Sequence, residues 1–132
     1  MDYLTRAEID IYLRTEELPL DSNDNNVNED KITLCINLVK SEIEPFLNEG
    51  GYIVPLTTQA QVDSLKHISL PIFKYYVNSD SGSRTEQIVN DYQFARSQLK
   101  RIANNEINLT AIDKQEDNLG NGSLKIVKLD IY

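Results

Sequence analysis

A chain of 132 residues and 15.1 kDa fits one domain, and 40% apolar with 26% charged residues makes it globular rather than disordered or fibrous. A single cysteine excludes an internally disulfide-stapled scaffold, and no apolar run reaches the roughly 18 residues that a membrane span needs. With 13 Lys and Arg against 21 Asp and Glu, the net charge of −8 argues against a nucleic-acid binder, whose affinity comes from cations neutralising phosphates.

The opening residues Met1-Asp2-Tyr3-Leu4-Thr5-Arg6 lack the basic and apolar segments of a secretory signal, so the expectation is a soluble intracellular domain. The charge is uneven. Residues 1–30 hold nine acids against Arg6 and Arg14, whereas the remaining 102 residues hold 12 acids and 11 bases. One end or face is therefore acidic, which repels DNA and attracts basic protein surfaces, or is simply solvated.

Thr5-Arg6-Ala7-Glu8 reads as a capping box opening the first helix. Leu4 can staple onto Ile9, and Ala7, Ile11 and Leu13 continue the apolar side. Pro19 stops the helix, and residues 21–28, rich in Asp and Asn, form a loop. Asp21, Asn23 and Asn25 occupy the first three ligand positions of a calcium loop, with Asn26 able to take its left-handed turn. The twelfth position, a bidentate Glu in working loops, is Ile32, so a plain Asn-rich turn is favoured and no metal site is expected.

A long helix over 29–48 carries Ile32, Cys35, Ile36, Val39, Ile43 and Leu47 at spacings of three and four. Asn28, Glu29 and Asp30 suit its N-terminus, Pro45 should kink or loosen it, and Gly50-Gly51 ends it. Residues 52–56 form a short extended linker. A third helix follows from 57 or 58 to 77, with Val62, Leu65, Ile68, Ile72, Phe73 and Tyr76 inward and a bend at Pro71. A fourth, over 85–104, places Ile88, Tyr92, Ala95, Leu99 and Ile102 on one seam and packs on the third as a helical hairpin. The domain thus spans 1–112. Residues 113–132 form a polar linker and a strand-like tail, in which Val127, Leu129 and Ile131 share one apolar face. A lone strand is unstable, so these three are candidates for an oligomer interface, unless the tail pairs with residues 52–55 of its own chain or stays unpaired.

Catalytic chemistry is hard to build from these residues. His67 stands alone and reads as a surface or boundary residue, and Cys35 lies on the apolar stripe as a small buried hydrophobe. The five glycines make no phosphate-cradling loop. No catalytic, cofactor or metal site is expected.

The motif Tyr52-x-x-Pro55-Leu56 precedes a helix ending in Tyr75-Tyr76. Then comes Tyr92-x-x-Ala95-x-x-x-Leu99-x-x-Ile102-Ala103-x-x-x-Ile107-x-Leu109. Over about residues 3–110 this order resembles the small helical head–tail connector proteins of tailed phages and prophages, the Mu-like group long catalogued as of unknown function. The resemblance implies a mainly α-helical head–tail adaptor, which the elements above fill in as a four-helix domain with a short extended linker and a strand-like C-terminal tail. It further implies a homo-oligomeric ring that joins portal to tail, made in the bacterial cytoplasm and ending in the virion neck. Its partners would be portal and tail proteins. DNA would pass through a lumen without specific binding, and no enzyme activity, cofactor or membrane would be involved. Relatives often have an Arg-Tyr pair where Gly51-Tyr52 stands, and Gly where Asn104-Asn105 stands; Pro71 and the tail also depart from the pattern. A stand-alone intracellular protein–protein interaction module without catalytic activity would have the same composition.

Overall fold

The computed structural model describes residues 1–23, 25–79 and 84–115, which form a mainly α-helical fold. Helix α1 (Arg6–Tyr12) opens on the expected capping box: the Glu8 N–H donates to the Thr5 hydroxyl at 3.2 Å, and the Thr5 N–H donates to the Glu8 carboxylate at 2.9 Å. Leu4, Ile9 and Leu13 enter the core, but Ala7 is exposed and Ile11 is 76% exposed. At 100° per residue Ile11 lies roughly 200° round the helix from Ile9, so burying Ile9 turns Ile11 outward. The helix ends at Tyr12, and a single 3-10 turn (Thr15–Glu17) carries the chain toward Pro19.

Helix α2 (Glu29–Glu49) buries all six residues of the expected stripe and runs on through Pro45. Asn28 caps it, its side chain accepting the Lys31 N–H at 3.1 Å. Gly51 then turns the chain at φ 88°, a left-handed conformation that favours glycine. Gly50 serves a different need, because a Cβ there would stand 2.7 Å from the Ile102 carbonyl oxygen. Gly50→Ala is therefore expected to cost about 1–3 kcal/mol in a denaturant titration. Unchanged stability would mean that the backbone at Ile102 can move aside freely.

The linker after Gly51 is extended, with a cis Val54–Pro55 bond. It has a partner. Ile53 N–H donates to the Asp113 carbonyl at 2.9 Å and Gln115 N–H to the Gly51 carbonyl at 2.7 Å, making an antiparallel bridge between Tyr52 and Lys114. Tyr52 is buried, and its hydroxyl accepts the Leu109 N–H at 2.9 Å.

The expected third helix is two: α3 (Gln59–Asp63) and α4 (Lys66–Val77). The break falls at Ser64 and Leu65 rather than at Pro71, which α4 accommodates. Ser64 Oγ donates to the Gln61 carbonyl at 2.6 Å, occupying the acceptor that the Leu65 N–H would need, and that N–H turns to Val62 instead. Helix α5 (Glu86–Ala103) is capped by Thr85 and packs antiparallel on α4, burying Leu65, Ile68, Ile72, Leu99 and Ile102, with Tyr92 half-buried.

Helix α2 packs on both members of that hairpin. Helix α1 approaches from the other side, through Tyr3 to Glu44 and Arg6 to Glu29 on α2, and through Glu8 to Lys66 on α4. Tyr75 of α4 faces α5, and it lies about 180° round the helix from Lys66. On α2 the same separation, about 200°, divides Glu44 from Glu42, which faces α5. So α1 and α5 flank the α2–α4 pair on opposite sides. His67 is exposed, and Cys35 is buried with its thiol pushed upward by burial. The residues of the strand-like tail, 124–132, lie outside the described residues.

Candidate functional site

The richest polar constellation lies where α2, α4 and α5 meet. Glu42 of α2 accepts hydrogen bonds at Oε1 from the Tyr76 hydroxyl of α4 and, at 3.1 Å, from the Tyr92 hydroxyl of α5. Arg96, one turn further along α5, brings Nη1 to 3.2 Å from Glu42 Oε2 in an ion-pair contact, off the hydrogen-bond axis. Its guanidinium also sits 5.5 Å from the Phe46 ring centre. Only 9% of the Glu42 side chain is exposed, so this carboxylate is costly to bury unless its neighbours satisfy it. Burial, then hydrogen bonding to Glu42 and Tyr92, pushes the Tyr76 hydroxyl far above its ordinary value, so it stays a donor at any physiological pH.

Around this core the rings are layered. Tyr75 stacks on Tyr92 with centroids 3.7 Å apart and planes 8° from parallel, and Arg84 covers the other side of Tyr75 at 3.6 Å while donating to its carbonyl. The cluster ties three helices together and offers no free nucleophile or open metal position. Chemically it is a clamp.

A second polar site binds α1 to the body. Lys66 Nζ, on a side chain only 10% exposed, lies 3.0 Å from Glu8 Oε2 and donates to the Tyr3 carbonyl at 2.9 Å. Burial works to raise the Glu8 carboxyl, but hydrogen bonds from Lys66 and Thr5 outweigh it and hold the group below the usual range. A cleft of about 360 Å³ opens where the 3-10 turn meets the end of α4 and the start of α5, with Glu16, Glu17, Lys74 and Asp91 in its walls.

The calcium-loop residues are engaged otherwise. Asp21 Oδ1 accepts the Asn23 N–H at 2.8 Å, and an antiparallel bridge from Leu20 to Val27 closes the turn. The left-handed residue is Asn25, not Asn26 as expected. Ile32, at the twelfth position, is fully buried in the core. Calorimetry is expected to find no micromolar calcium binding, and such binding, abolished by Asp21→Ala, would overturn this reading.

The aromatic residues of the sequence motif are thus partners of one another: Tyr75, Tyr76 and Tyr92 form one network, and Tyr52 with Leu109 another. Comparison with protein families gives a match to Bacteriophage Mu, Gp36, over residues 3–127. The chain belongs to the bacteriophage Mu Gp36 family. No curated protein and no solved structure matches it. In this family member no described helix is long and apolar enough to cross a membrane. Its candidate interface residues Val127, Leu129 and Ile131 lie outside the described residues. The residues that sequence reasoning passed over are Glu42, Arg96 and Lys66. The available signal for Glu42 was its place beside the buried stripe, three residues after Val39, in a chain whose tyrosines come at helix-facing spacings.

Proposed function

We propose that this Mu Gp36 family member is a structural virion protein, a head–tail connector that joins portal to tail as part of a ring. Membership of a Mu-like phage family over residues 3–127 carries the reading. Two physical features support it. The interhelical clamp at Glu42 and the buried Glu8–Lys66 pair make a stiff body, which suits a part that transmits contacts between two larger assemblies. The acidic surplus of residues 1–30, turned toward a lumen, would let DNA slide past without adhering.

The test is made in the phage or prophage that encodes the chain. Mass spectrometry of purified virions is expected to find it, and deletion of its gene should leave DNA-filled heads and free tails that do not join in electron micrographs. Intact infectious virions made without it would overturn the connector reading. A chain absent from virions but held by another intracellular protein would replace that reading with an interaction module.

A further inference from the structure

We draw no further inference here: the strongest candidate, the cleft between the 3-10 turn and the start of α5, is walled by acids already engaged within the chain, Glu16 and Glu17 by Arg14, Glu17 also by Lys74, and Asp91 by Gln87, and nothing in the structure shows what fills it.

Discussion

Leu99→Ala is expected to cost about 2–5 kcal/mol of stability, among the largest effects of a single truncation here. Leu99 is fully buried on α5, at the seam with α4, and the backbone around it is fixed from both ends: Thr85 caps the helix start, and the Ile102 carbonyl presses on Gly50 at its close. A cavity there cannot collapse easily, which places the cost in the upper part of the range for such deletions. The measurement is a urea titration, in which the midpoint falls while the slope stays constant. Phe94→Ala on the exposed side of the same helix is the control and should change stability by less than about 0.5 kcal/mol. A Leu99 variant as mild as that control would show that the α4–α5 seam is misplaced.

Glu8→Gln is expected to cost about 1–3 kcal/mol, because it takes from the nearly buried Lys66 ammonium its nearest counter-charge and leaves only the more exposed Asp63 carboxylate, at 3.7 Å. Gln keeps an oxygen to accept the Thr5 N–H, so the capping contact survives and the loss reports mainly on the ion pair. The pH dependence has a definite sign. The folded-state Glu8 carboxyl is depressed, so between its folded and unfolded values the unfolded chain binds more protons. The stabilisation is complete above the ordinary glutamate value of about 4.3 and is lost as pH falls through the lower folded value. Wild type should therefore shed its advantage over Glu8→Gln as pH falls below about 4.3 and through the lower folded value, and the two stability curves should converge in acid. Parallel curves across that window would mean that Glu8 is not the group coupled to Lys66.

The core was legible in the sequence wherever a long helix presented one apolar stripe. All six stripe residues of α2 are buried, and the α4–α5 hairpin is buried as its spacing implies. Short segments were read less well. Seven residues of α1 make barely two turns, so Ile11 counted as core by composition although its angle faces it outward. The split between α3 and α4 depends on one hydroxyl, that of Ser64, capturing one carbonyl, whereas the visible helix breaker was Pro71. The polar clamp was opaque for a different reason. Glu42, Tyr76 and Arg96 come from three helices, and periodicity assigns a face to each residue without saying which acid and which hydroxyl meet across the gap.

The bridge between Tyr52 and Lys114 gives the body a polarity along its length. It returns the chain, after α5, to the C-terminal end of α2, so Gln115 lies beside Gly51. The Asn-rich turn at 21–28 sits at the other end of that helix, and 21 helical residues put about 30 Å between the two. One pole is thus the Asp- and Asn-containing turn and the other the bridge between Tyr52 and Lys114. A subunit with two chemically unlike poles, held apart by a continuous helical strut, can be read in only one direction. Bodies stacked above and below it would meet different surfaces, and neither could dock in the place of the other.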